Sequence, residues 1–176
     1  MKGILKASVY CLCLFFSFEA LAGNAQPAQV RAPLLYHMVE FTQFPSDRLQ
    51  TSTINMCFLE DPDFVHANKL LQSNKKNIKQ LPLMIIKLRN ISELLSADCH
   101  LLFVDKQHES NELSQMLDRL NQDTLTAGET GEFVKNGGLL SIVPGKTSME
   151  IQVNLQQLKK SPLKISSSVL KLAKLY

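Results

Sequence analysis

The sequence predicts a single α/β domain: a mixed, mostly parallel sheet flanked by helices, with a C-terminal antiparallel hairpin and a terminal helix. Three observations predict it. Short apolar runs bounded by turn residues alternate with segments of helical periodicity, the pattern of βαβ units. The composition is that of an ordinary globular protein, 45% hydrophobic and 20% charged, with 7 Gly and 7 Pro in 176 residues. No repeat, low-complexity tract or long linker divides the chain, and a domain of ~150 residues buries roughly 70% of its unfolded surface, enough for one core.

Residues 1–22 read as a secretory signal peptide. Lys2 and Lys6 supply the positive end, Ala7 to Phe18 is almost wholly apolar, and Ala20-Leu21-Ala22 is a small-x-small cleavage site. The apolar run is too short for the ~20 residues that span a bilayer. Cleavage removes Cys11 and Cys13, neither of which sits in a lipoprotein processing context, so a soluble, secreted product is expected, with its folded domain over residues 28–176.

The elements of that domain follow in order. Residues 28–44 carry apolar side chains at Val30, Leu34, Met38 and Phe41, widened by Leu35 and Val39, which is helical spacing. Pro33 suits the first turn, and Phe44-Pro45 is expected to end the helix. Residues 53–59 (TINMCFL) read as a buried strand and 64–72 as a short helix. Residues 81–88 (LPLMIIKL) read as a second strand with Pro82 at its start. A helical turn over 91–97 precedes a third strand over 99–104, continuously apolar and so expected to be covered on both faces. Leu113, Met116, Leu117 and Leu120 line one side of a helix over 109–121. A brief strand over 124–126 and a helical turn over 130–135, closed by Gly137-Gly138, lead to a hairpin pairing 139–143 with 148–153. Apolar residues at Ile165, Val169, Leu172 and Tyr176 predict a terminal helix over 163–176, with Lys164, Lys171 and Lys174 opposite.

Few kinds of chemistry fit these residues. The net charge is only +3 and no basic stripe forms, so nucleic acid is not an expected partner. Glu60, Asp61, Asp105, Thr126 and Lys146 loosely match a phosphoacceptor receiver, yet strand ends of any α/β domain are rich in such residues. His37, His66, His100 and His108 form no metal-ligand spacing, and His100 is expected to be a satisfied core imidazole. There is no G-x-S-x-G elbow and no complete phosphate-binding loop. The serines at 166–168 read as helix capping. The reading is therefore of a protein without catalytic residues, metal site or cofactor. Cys57 and Cys99 are the two cysteines left after cleavage; they form either one disulfide or two buried thiols.

Taken together, these segments resemble the YfiR-like periplasmic proteins. The resemblance rests on VRAPLLYHMVEFTQFP (30–45), INMCFLEDPDF (54–64), DCHLLFVD (98–105), TLTAGETGEFVKNGGLLSIV (124–143), MEIQVNL (149–155) and SPLKISSSVLKLA (161–173), in that order. It implies a periplasmic repressor that holds a membrane-bound diguanylate cyclase inactive through that enzyme's periplasmic domain. It further implies sequestration by an outer-membrane lipoprotein, a homodimer, and lower cyclic-di-GMP and biofilm output. It also implies a disulfide between Cys57 and Cys99. A second pair known in the family has no counterpart here, where Val143 and Glu150 stand nearby. If the first and third strands are neighbours, as in the common doubly wound order, Cys57 and Cys99 lie on adjacent strands and can come within the ~4.4–6.8 Å Cα separation a bridge needs. Tyr36, Phe41 and Phe44 on the first helix are the aromatic candidates for a partner or dimer interface. The other function class compatible with these residues is a periplasmic ligand-binding or accessory module of another membrane sensor or transporter.

Overall fold

The apolar runs pair side by side. The computed structural model describes residues 27–48, 50–60 and 63–176. Its central strands are β2 (Ile54–Leu59), β4 (Leu81–Leu88), β5 (Leu101–Val104), β6 (Leu125–Gly128) and β7 (Leu140–Pro144). They run parallel in the spatial order β4-β2-β5-β6-β7. Numbered along the chain that is 2-1-3-4-5, the flavodoxin-like order of doubly wound sheets. β8 (Met149–Val153) folds back antiparallel on β7, as the hairpin reading expects.

Alternate residues of each strand enter two separate cores. Met56, Phe58, Leu101, Phe103, Ala127, Leu140 and Ile142 face one side, against Leu35, Tyr36 and Val39 of α1 (Pro27–Glu40) and Ala67 and Leu70 of α2 (Val65–Leu71). Cys57, Leu59, Leu102 and Val104 face the other. There they meet Leu94 of α3 (Ile91–Leu94), Leu113 and Leu117 of α4 (Asn111–Leu120) and Phe133 of α5 (Gly131–Lys135). Covering on both faces is why β2 and β5 read as unbroken apolar runs. Phe133 lies so close to the sheet that a methyl group on Gly128 would come within 2.2 Å of its ring. Side-chain caps fix the helix starts: Ser110 Oγ accepts from Leu113 N–H and Thr130 Oγ1 from Glu132 N–H.

The structure corrects three sequence expectations. The first helix ends at Glu40 rather than Phe44, because Thr42–Gln43 form β1, and the Thr42 hydroxyl donates back to the Met38 carbonyl at 2.7 Å. Its buried face is also rotated: Arg31, Ala32, Leu35, Tyr36, Met38 and Val39 are inside, while Val30 and Phe41 are exposed. The expected terminal helix is reduced to a single turn, α7 (Ser167–Leu170), capped by Ser166. Before it, α6 (Leu155–Lys160) and β9 (Lys164–Ile165) form, and after it β10 (Lys174–Leu175). β9 pairs antiparallel with β1 and β10 pairs parallel with β8, so long-range backbone pairing overrides local helical spacing. β8 therefore lies inside the sheet and β10 forms that edge. The far edge carries β3 (Asn77–Ile78), antiparallel to the start of β4. The proposed signal peptide, residues 1–22, lies outside the described residues.

Cys57 and Cys99 are joined by a disulfide with Cα atoms 5.7 Å apart. The neighbouring β2 and β5, with Cys57 opposite Leu102, set that distance. Beside it, His100 is buried just ahead of β5 rather than within it. Asn55 N–H donates to its Nδ1 at 3.1 Å, so the ring's hydrogen sits on Nε2, which donates to the Arg48 carbonyl at 2.9 Å. Burial holds the imidazole pKa below its ordinary value, and the Arg48 carbonyl only partly offsets this. The unfolded chain therefore takes up a proton here more readily than the folded one. The contribution to stability is whole above the unfolded value near ~6.5 and is lost as pH falls from there through the folded value. Thermal melts at pH 7.5 and pH 5.5 will show a smaller acid-induced fall in Tm for His100→Gln than for wild type; an equal fall would contradict the assignment.

Candidate functional site

In a doubly wound sheet, ligands and partners are met at the carboxyl ends of the strands, where the strand order reverses. Here that point lies between β2 and β5. The residues just beyond the strands are polar: Glu60 after β2, Asp105 after β5 and Glu129 after β6. A cleft of about 300 Å³ opens over them, lined also by Phe64, His66 and Lys106.

A chain of hydrogen bonds runs beneath this cleft. Arg31 reaches in from α1 with only 1% of its surface exposed. Its Nε donates to the Ile142 carbonyl at 2.7 Å, and one terminal nitrogen donates to Glu129 Oε1 at 2.7 Å and to His66 Nε2 at 3.0 Å. A guanidinium can only donate, so His66 Nε2 accepts and its hydrogen resides on Nδ1. That N–H donates to Glu60 Oε2 at 2.7 Å, while Glu60 Oε1 accepts Ala67 N–H at 3.0 Å. The His66 ring packs on Phe103, centroids 4.5 Å apart. Burial draws the Arg31 pKa below the usual guanidinium value, and Glu129, Glu109 and Glu60 oppose the shift.

A third carboxylate completes the arrangement. Glu109 Oε1 accepts the N–H groups of Glu129 and Thr130 at 2.7 and 2.8 Å, and its other oxygen takes the Thr130 hydroxyl. Burial raises its pKa, and those same hydrogen bonds counter the effect. Glu129 Oε2 accepts Lys106 N–H at 3.0 Å, and Asp105 Oδ1 accepts from His108 Nδ1 at 2.7 Å. The ring nitrogens of His66 and both Glu60 oxygens are thus occupied by protein groups. Chemically the cluster is a clasp: it ties α1 and α2 to the ends of β2 and β6 and to the middle of β7.

The receiver-like residues do not converge. Glu60 and Asp105 sit at the carboxyl end, but Thr126 lies near the amino end of β6, donating to Asn121 Oδ1 at 2.6 Å and accepting Leu139 N–H. Lys146 is exposed between β7 and β8, and Asp61 lies outside the described residues. Among the described residues no cluster of three His, Cys, Asp or Glu side chains is placed to hold a metal ion.

The three aromatic interface candidates separate. Tyr36 is 4% exposed, its hydroxyl donating to the Asn77 carbonyl at 2.7 Å, and Phe44 is 7% exposed, edge-on to His100. Both pack within the domain, Tyr36 because the rotated helix turns it inward and Phe44 because the chain past β1 lays it against His100; Phe41, at 46% exposure, is the one of the three on the surface. Val143 and Glu150 face each other across β7 and β8 as an ordinary cross-strand pair. Arg31 escaped the sequence reading because its partners lie 35, 98 and 111 residues away. The available signal was its place on the same helical face as Leu35 and Met38.

No helix among the described residues is long and apolar enough to cross a membrane. No curated protein matches the chain. Residues 28–174, from the second residue of α1 to the first of β10, match the YfiR/HmsC-like family. That span contains the central sheet, the disulfide and every member of the Arg31 cluster: the chain belongs to the YfiR/HmsC-like family.

Proposed function

We propose that this chain is a periplasmic regulatory binding protein that holds an inner-membrane diguanylate cyclase inactive, and so lowers cyclic-di-GMP and biofilm output. The observation that carries the reading is membership of the YfiR/HmsC-like family across nearly the whole domain. The occupied polar cluster at the strand ends is in keeping with it, since a repressor needs a rigid surface and no reacting group. In this reading an outer-membrane lipoprotein relieves repression by sequestering the chain, which works as a homodimer after its leader, residues 1–22, is removed. Cys57 and Cys99 brace the fold, and Phe41, just past the first helix, is the aromatic of the three that a partner can reach.

Deleting the gene and measuring intracellular cyclic-di-GMP tests the proposal. A rise that the exported wild-type chain reverses is the expected result. An unchanged level overturns the repressor reading.

A further inference from the structure

The sheet ends differently on its two sides. β10 closes one edge, but at the other β3 covers only Leu81 and Pro82, leaving most of the eight-residue β4 uncovered. Leu83 N–H donates outward to the Lys76 carbonyl at 2.8 Å. Backbone groups alternate in direction along a strand, so those of Ile85 and Lys87 point the same way, away from β2. Among the described residues nothing pairs with these outward N–H and C=O groups. Met84 stands 50% exposed on the same strand. An unpaired row of this kind is a template for another strand.

Charge selects which strand. From Phe64 to Ser92 the sequence holds no Asp or Glu, whereas Lys69, Lys75, Lys76, Lys79, Lys87 and Arg89 are all exposed. Among the described residues three acidic side chains border this run: Asp63, whose carbonyl accepts from Asn68 Nδ2, Glu40, whose carbonyl takes Lys79 Nζ, and Glu93, which accepts Arg89 N–H. They leave a clear positive excess. A second copy of the same edge would set like charges together, and a lipid surface would leave the backbone groups unsatisfied. An acidic strand answers both.

We propose that the free edge of β4 is a docking site for an extended acidic segment of another polypeptide, which adds as a strand beside residues 83–87. The proposal rests on the chain acting by binding, as above. It names the chemistry of the contact: backbone hydrogen bonds at Ile85 and Lys87, an apolar side chain against Met84, and carboxylates against the surrounding lysines.

The test uses the full mature chain and a fluorescent peptide of alternating valine and glutamate, with a twin of equal charge N-methylated at every amide and a third with lysine for glutamate. Anisotropy titrations will show saturable binding of the acidic peptide, at least tenfold weaker binding of the N-methylated twin, and none of the lysine peptide. Lys75→Glu with Lys76→Glu will weaken binding severalfold, and bound peptide will slow amide exchange at Ile85 and Lys87. Equal binding of the twin, no binding of the acidic peptide, or binding only to phosphatidylglycerol vesicles overturns the proposal. A chain that binds the peptide yet leaves cyclic-di-GMP unchanged in cells sinks the regulatory reading alone. One that represses the cyclase but ignores the peptide sinks this inference alone.

Discussion

Replacing Arg31 with methionine will destabilise the folded chain by about 3–5 kcal/mol, because it leaves two buried acceptors without a donor, at about 1–3 kcal/mol each, and a half-buried carboxylate without its counter-charge. Methionine keeps the aliphatic packing but deletes three hydrogen bonds at once. The Ile142 carbonyl and His66 Nε2 then lose their donor, and the Glu129 carboxylate loses its counter-charge. At roughly 2–4 °C per kcal/mol for a domain of this size, the melting temperature falls by on the order of 10 °C. Glu129→Gln will cost less, because the amide oxygen can still accept from Arg31 and Glu109 and Glu60 still offset the guanidinium charge. Equilibrium urea unfolding of the two variants checks both statements. A loss below about 1 kcal/mol for Arg31→Met would mean the cluster does not clamp the helices to the sheet.

Removing the disulfide has an effect of similar size by a different route. The bridge joins residues 42 apart, and closing such a loop in the unfolded chain stabilises the fold by on the order of 4 kcal/mol in the chain-entropy model. Cys57→Ala with Cys99→Ala therefore lowers the unfolding free energy by roughly 2–5 kcal/mol. Bridged, neither cysteine has a thiol to alkylate, even in protein unfolded without reductant. Intact mass measured without reductant will fall short of the dithiol mass by two hydrogens. Two thiols that alkylate readily in unreduced native protein would contradict the bridge.

These two sites differ in how far the sequence revealed them. β2 and β5 were legible because every residue but Asn55 is buried, so INMCFL and LLFV stand out as apolar runs. Once the doubly wound order sets them side by side, the Cys57–Cys99 separation follows. Arg31 was illegible because burial of a cation depends on partners at 66, 129 and 142, which only the folded sheet assembles. The C-terminal stretch misled for a related reason. Ile165, Val169, Leu172 and Tyr176 are spaced for a helix, but Lys164–Ile165 and Lys174–Leu175 gain backbone partners in β1 and β8. Two-residue strands such as β3 leave no periodicity to read. Tyr36, Phe41 and Phe44 are interface candidates on the size of their rings alone, and ring size does not say which way a side chain turns: the buried face of the helix runs through Arg31, Leu35 and Tyr36, about a third of a turn from the stripe through Val30 and Phe41.

The most direct test adds purified mature chain to the outside of spheroplasts from the deletion strain and follows cyclic-di-GMP synthesis. The proposed repression requires a saturable fall in the rate, reached without any covalent change in the chain. A synthesis rate that stays constant at saturating protein would contradict it.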